Sequence, residues 1–228
     1  MGLKKGFDMT SVASQAEIAQ VDRDIADIEA HLATYGERIY EGSSSAEEVV
    51  YLGKTAIQEG ADLIAEIGFN GGVSSMAFLR SRPTARVVSF DIGTHTYIDA
   101  AKEYVDQRFP DRHELVVGDS LETVPRYLRD NPDVCFDLAF IDGGHAYEVA
   151  KADIVNMRPL CRPGAALVMD DLVPWQKYGK GPSRAWAEAI EEGVITQDEL
   201  VKDGRVIQEL RRPALRVWAL GHYVVPLL

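Results

Sequence analysis

Apolar residues recur along this chain in two rhythms. From position 16, "AEIAQVDRDIADIEAHLATYGERIY" sets Ile18, Val21, Ile25, Ile28 and Leu32 three and four apart, the stripe of an amphipathic helix. "EGSSSAEEVVYLGKTAIQEGA" predicts a second helix, with a serine N-cap before "AEEVV" and Gly60 as its stop. From position 62 the rhythm changes. "DLIAEIGF", "ARVVSFDIG", "HELVVGDS", "FDLAFIDGG" and "AALVMDDL" are strand-length apolar runs. Between them lie the helical stretches "SSMAFLRS", "YIDAAKEYVDQRF", "LETVPRYLRD" and "AYEVAKADIVNMRPL". Such alternation predicts a parallel sheet covered on both faces. Beyond Asp171 come a polar loop, a helix near "PSRAWAEAIEEG", and two runs, "GRVIQEL" and "LRVWALGHYVV", expected to pair antiparallel at the sheet edge. The expected fold is α/β, doubly wound and Rossmann-like, with a mostly parallel seven-stranded sheet and an antiparallel C-terminal edge hairpin. Residues 1–60 read as an N-terminal helical extension (a lid, a dimer surface or the substrate side) and residues 61–228 as the ligand-binding domain.

Composition narrows the partners. Across 228 residues, 36 acidic side chains against 24 basic ones give a net charge of −12, which repels phosphate backbones and argues against nucleic acid. No apolar run approaches the roughly 20 residues of a membrane span. "MGLKKGFDMTSVAS" lacks the apolar core of a secretory signal, and Gly2 has no second membrane signal beside it, so a cytoplasmic location is expected. Cys135 and Cys161 have neither CxxC nor Cys/His metal spacing and read as small buried apolar residues in a reducing compartment.

Doubly wound sheets bind ligands outside the carboxyl ends of their strands. Here every strand end carries acid. The first ends on Glu66 and the loop "GFNGGVSS", the second on Asp91, the third on Gly118 and Asp119, the fourth on Asp142-Gly-Gly-His145, the fifth on Asp170-Asp171. The loop is not GxGxxG, and a ring of carboxylates would repel a pyrophosphate. It suits a neutral or cationic ligand. Asp91 is placed to take ribose hydroxyls and Asp119 an exocyclic amine, so the implied ligand is an adenosine carrying positive charge. Three neighbouring carboxylates, Asp142, Asp170 and Asp171, would repel one another unless a divalent cation neutralised them, and an oxygen-only set suits Mg²⁺. His145, three residues after Asp142, is a candidate base. Each motif also has a plainer reading: Gly71-Gly72 and Asp142-Gly-Gly as turns, Asp170-Asp171 as a helix cap, Asp153 as part of a solvated helix face or a salt bridge.

"EIGFNGGVSS", "SFDIG", "VVGDS", "FIDGGHAYEVAKADI" and "VMDDL", in this order, resemble the class I S-adenosylmethionine-dependent methyltransferases over roughly residues 45–228. Within that superfamily they resemble the metal-dependent O-methyltransferases of catechol and caffeoyl-CoA type, and more closely the bacterial branch acting on sugars and macrolides. The resemblance implies that Glu66, Gly68 and Gly72 flank the methionine of the cofactor, that Ser74 contacts its carboxylate, and that Asp91 binds its ribose. It further implies that Gly118, Asp119 and Ser120 line the adenine, that Asp142 borders the cofactor, and that Asp142, Asp170 and Asp171 ligate Mg²⁺. His145 matches the histidine base of the sugar branch. A lysine base of the catechol type is doubtful, because no lysine lies between Lys102 and Lys151.

The expected activity is Mg²⁺-dependent transfer of a methyl group from S-adenosylmethionine to a hydroxyl of a small molecule, a sugar diol or a phenolic natural product, by a homodimer or higher homo-oligomer. Two alternatives stay open: a metal-independent O- or N-methyltransferase, and the same fold turned to a non-methylating reaction. Trp175, Tyr178, Trp186 and Tyr147 are open between acceptor pocket and packing.

Overall fold

The computed structural model describes residues 11–40, 42 and 44–224. The N-terminal segment read above for signals, residues 1–10, lies outside the described residues. Helix α1 (Gln15–Ala33) starts on a capping box, in which Ser14 and Glu17 each satisfy the other's backbone amide, and buries Val21, Ile28 and Leu32 of the expected stripe. Helix α2 (Ala46–Gln58) is capped by Ser45, whose hydroxyl accepts from the Glu48 amide at 3.2 Å.

Five parallel strands follow in the expected places: β1 (Leu63–Ile67), β2 (Arg86–Asp91), β3 (His113–Val117), β4 (Phe136–Ile141) and β5 (Cys161–Met169). Between them run α3 (Val73–Ser81), α4 (Ile98–Arg108), α5 (Ser120–Asp130) and α6 (Tyr147–Met157), and α7 (Lys180–Glu191) comes after β5. The alternation of strand side chains sorts two cores. Ile64, Leu138 and Val168 face Val21, Leu52, Phe78 and Tyr104 of α1 to α4, while Ala65, Ile141 and Met169 face Val124, Ile154 and Trp186 of α5 to α7.

The sheet has eight strands rather than seven, in the order β3-β2-β1-β4-β5-β8-β6-β7. The additional strand is β6 (Glu199–Lys202), joined to β7 (Arg205–Ile207) through Asp203 and Gly204, both left-handed with φ of 46° and 74°. Two consecutive residues of that kind make the tight hairpin turn whose twist matches the flanking strands, and Asp-Gly is a favoured pair for it. "GRVIQEL" therefore pairs with β6, and β8 (Val217–His222) inserts antiparallel between β5 and β6. The two C-terminal runs expected to pair with each other do not. Cys135 is exposed and Cys161 half-buried, so the expectation of two buried small residues is corrected as well.

In-phase strand ends are what build the site. Ile67 pairs with Phe90 and Ile141, and Ile141 with Met169. One further backbone bond continues each ladder past its strand: Gly68 to Phe90 O, Asp142 to Ile67 O, Asp170 to Ile141 O and Gly118 to Asp91 O. The residue after each apolar run is thereby held beside its neighbours.

Candidate active site

The glycine loop leaves β1 at Gly68, whose φ of 99° suits glycine. A Cβ there would stand 2.0 Å from the Asp142 carbonyl oxygen, so the loop lies directly on the β4 end. Gly72, with φ of 76° at the start of α3, is tight for another reason: its Cβ would meet the Phe69 ring and Val105 at 2.9 Å. Asp91 fastens the loop from below. Its Oδ2 accepts from the amides of Phe69 (2.9 Å) and Asn70 (3.0 Å), and its Oδ1 from that of Gly93 (2.8 Å). Of about four lone-pair sites on a carboxylate, these bonds leave one, at Oδ1.

Glu66 does not face the cavity. It is fully buried and accepts hydrogen bonds from Ser74, Ser75 and Ser89, so Ser74 is also turned inward. Burial pushes the Glu66 carboxyl up to about 7, with the three hydroxyls opposing. His113 adjoins this network, its Nε2 2.9 Å from the Ser89 hydroxyl and its ring stacked on Phe69. Burial, and to a lesser degree Lys102, pulls the imidazole down to about 3. A histidine that resists protonation only when folded removes stability as the unfolded chain takes up its proton, from about pH 6.5 downward. Relative to H113Q, the wild type is expected to lose about 2 kcal/mol between pH 7 and pH 5 in paired urea titrations; parallel pH profiles would show that the ring is not held neutral.

At the opposite end, Asp142, Asp170 and Asp171 each offer an oxygen within 4.8 Å of the others. Successive strand residues point to opposite faces, but Asp171 is left-handed, with φ of 61°, and this breaks the alternation so that both aspartates turn the same way. Asp170 is 2% exposed and its Oδ1 has no hydrogen-bond partner. Burial, then the charges of Asp142 and Asp171, hold its carboxyl well above the usual range. A buried, orphaned oxygen in an all-oxygen cluster fits a hard divalent cation. His145 is half-exposed and sets Nε2 2.7 Å from Asp171 Oδ2. Its loop is braced by α7, where a Cβ on Gly181 would come within 2.2 Å of the His145 carbonyl.

Sequence reasoning passed over two residues here and misplaced a third. Glu48, in the first turn of α2, is fully buried with neither carboxylate oxygen hydrogen-bonded; burial and then Asp170 and Asp142 raise its carboxyl well above normal. Arg216 lines the cavity with Nη1 4.0 Å from Asp170 Oδ2, and among the described residues it is the one Lys or Arg of that lining. Its backbone is pinned by exposed Asp203, whose Oδ1 accepts from the Leu215 and Arg216 amides, while the Asp203 amide donates to the Arg216 carbonyl. Asp153, expected on a solvated face or in a salt bridge, is 1% exposed on α6, and burial pushes its carboxyl up to about 6. The buried residues Ala150, Asp153, Ile154 and Met157 follow helical spacing, a signal that was available.

A cavity of about 650 Å³ joins these ends. Of the expected residues, Gly68, Asp91, Gly118, Asp119, Ser120, Asp142, His145 and Asp171 line it, whereas Glu66, Gly72, Ser74 and Asp170 are buried and outside that lining. Asp119 also caps α5, accepting from the Leu121 amide. Tyr178 lines the mouth and donates to the Leu215 carbonyl. Tyr147 bonds Glu188 outside that lining, Trp186 is core, and Trp175 lies under Arg212.

Residues 65–172, which span the glycine loop, the second, third and fourth strand ends and the paired aspartates, match the family model described as a methyltransferase domain. That stretch is a methyltransferase domain. Solved structures resemble this chain over most of its length. An O-methyltransferase from Bacillus cereus in complex with SAH is 18% identical, with 92% of each chain covered and a TM-score of 0.65. TomG from Streptomyces achromogenes, an O-methyltransferase involved in tomaymycin synthesis, is also 18% identical, covering 92% of this chain and 96% of its own, with a TM-score of 0.68. CalS11, a TDP-rhamnose 3'-O-methyltransferase of calicheamicin biosynthesis, is 20% identical over 91% and 95%, with a TM-score of 0.58. No curated protein matches the chain in sequence. At these identities the likeness is one of fold, and the matched stretch carries the acidic cluster and most of the cavity lining, to which Gly42, Tyr178 and Arg216 add from outside it.

Proposed function

We propose that this chain transfers the methyl group of S-adenosylmethionine to a hydroxyl of a small molecule, with Mg²⁺ held by Asp142, Asp170 and Asp171. The observation that carries the reading is the acidic cluster opening onto the cavity, with buried Asp170 Oδ1 unpartnered. Bound there, the cation would acidify and orient the acceptor hydroxyl. The remaining lone pair of Asp91 takes a ribose hydroxyl, Asp119 and Ser120 border the adenine beside Gly118, and Gly68 and Asp142 border the methionine half. With His145 Nε2 donating to Asp171, Nδ1 is the acceptor nitrogen of the neutral ring and takes the acceptor's proton. The methyl carbon leaves sulfur as its bond to the acceptor oxygen forms, and S-adenosylhomocysteine is released.

The acceptor class is a sugar diol or a phenolic natural product, met on the side of the N-terminal helices, in a cytoplasmic homodimer or higher homo-oligomer. No described helix is long and apolar enough to cross a membrane. A metal-free O- or N-methyl transfer has its own support: the Asp171–His145 pair is already formed, and Arg216 already offers Asp170 a positive charge. Exhaustive EDTA treatment separates the two. Formation of S-adenosylhomocysteine should fall to background and return with Mg²⁺; undiminished turnover in EDTA selects the metal-free reading.

A further inference from the structure

Two short runs stand apart in a chain of net charge −12. Residues 172–187 contain no acid but hold Lys177, Lys180 and Arg184; residues 210–216 contain none either and hold Arg211, Arg212 and Arg216. The fold lays the two runs side by side. Tyr178 donates to the Leu215 carbonyl at 3.0 Å, and the Arg212 guanidinium stands 5.1 Å from the centre of the Trp175 ring. Arg184 and Arg211 are paired with Glu188 and Glu209, whereas the exposed Lys177, Lys180 and Arg212 have no ion pair among the described residues. Each run also reaches the cavity, the first through Tyr178 and the second through Arg216. The Tyr178 ring lies 6.0 Å from that of His145, so Arg216 borders the part of the cavity where the candidate base sits. Its guanidinium is set between two walls: Nη1 is 4.0 Å from Asp170 Oδ2, and Nη2 would be 3.7 Å from a Cβ on Gly42. At 4.0 Å the aspartate is an electrostatic neighbour and not a hydrogen-bond acceptor. A guanidinium fork matches two oxygens of a carboxylate or a phosphate. The acidic side chains of the lining among the described residues are Asp91, Asp119, Asp142 and Asp171, which leaves Arg216 as the one place there that attracts an anion.

We propose that Arg216 is a specificity-determining residue that binds an oxyanion group of the acceptor, a phosphate or a carboxylate, which Lys177, Lys180 and Arg212 attract to the mouth. The inference deepens the methyl-transfer reading above and rests on it, but not on the cation. Four aspartates repel such a group everywhere else in the lining, so the arginine fixes which way round the acceptor enters and which hydroxyl meets His145.

Calorimetric titration of the full chain loaded with S-adenosylhomocysteine, in EDTA at low ionic strength, tests this with inorganic pyrophosphate and with benzoate as probes. The wild type is expected to bind at least one of them, and R216Q to bind it at least about tenfold more weakly while S-adenosylhomocysteine affinity stays unchanged. Tighter pyrophosphate identifies a phosphate on the acceptor, and tighter benzoate a carboxylate. Binding of neither probe to the wild type, or equal affinity in R216Q, overturns the proposal. A fall of S-adenosylhomocysteine affinity in R216Q gives the arginine to the cofactor's own carboxylate and overturns it too. Failure of the wild type to bind S-adenosylhomocysteine overturns the methyl-transfer reading and this inference with it. Should R216Q not fold, R216M, which keeps an apolar stem without donors, is expected to weaken the probe equally, and unchanged affinity there overturns the proposal.

Discussion

Asp170→Ala is expected to abolish methyl transfer while making the metal-free protein no less stable. Asp170 is buried beside Asp142 and Asp171, and in the folded chain its charge is opposed by burial and by these like neighbours. Removing it relieves that repulsion, and the small void left by a carboxylate is a modest loss beside it. Turnover should nonetheless fall on the order of a thousandfold or more, since a cation's contribution to such a reaction is several kcal/mol. Asp170 is 2% exposed and outside the lining of the cavity, so S-adenosylhomocysteine should bind with nearly unchanged affinity. Calorimetric binding, a thermal melt in EDTA and a turnover assay give the three readouts. A large loss of cofactor affinity, or turnover within tenfold of wild type, would count against Asp170 as a ligand.

Gly68→Ala should do the opposite, damaging the fold first. The added Cβ would meet the Asp142 carbonyl at 2.0 Å, a backbone atom that cannot step aside, and φ of 99° is itself unfavourable for alanine. The residue bonds Phe90 O on one side while Asp142 bonds Ile67 O on the other, so relief must open the β1–β4 junction. A loss of at least about 3 kcal/mol in urea unfolding is expected, with cofactor binding lost as well. Gly71→Ala is the control. Its Cβ meets the side-chain end of Ile39, which can move, and the expected cost is below about 1 kcal/mol. Similar effects for the two alanines would show that the Gly68 contact is not what fixes the junction.

The parallel half of the sheet was legible because each strand is an apolar run cut off by Asp or Gly, and cut-off positions in neighbouring strands are held in phase by the ladder. Hence the acidic cluster could be named from sequence. Strand β6 could not be found by the same rule, since "ELVK" is short and half charged; the Asp-Gly turn after it was the better signal. Glu66 shares with Ile64 the strand face turned toward α3, so alternation alone argued that it points inward to Ser74 and Ser75. Glu48 is a different case. Its sequence context is a well-formed helix start in which a glutamate ordinarily faces solvent, and only its spacing to the buried Leu52 and Thr55 sets it apart from Glu47.

Asp203 sits in a surface turn, well removed in sequence from every candidate ligand, yet one oxygen of its carboxylate accepts from the two successive amides of Leu215 and Arg216. A survey of sequence variation in this chain would therefore meet a solvent-exposed hairpin residue that behaves like a pocket residue. Changes there should alter which acceptors are taken rather than whether the protein folds, and that makes the β6–β7 turn a place where substrate preference can drift without any ligand being exchanged.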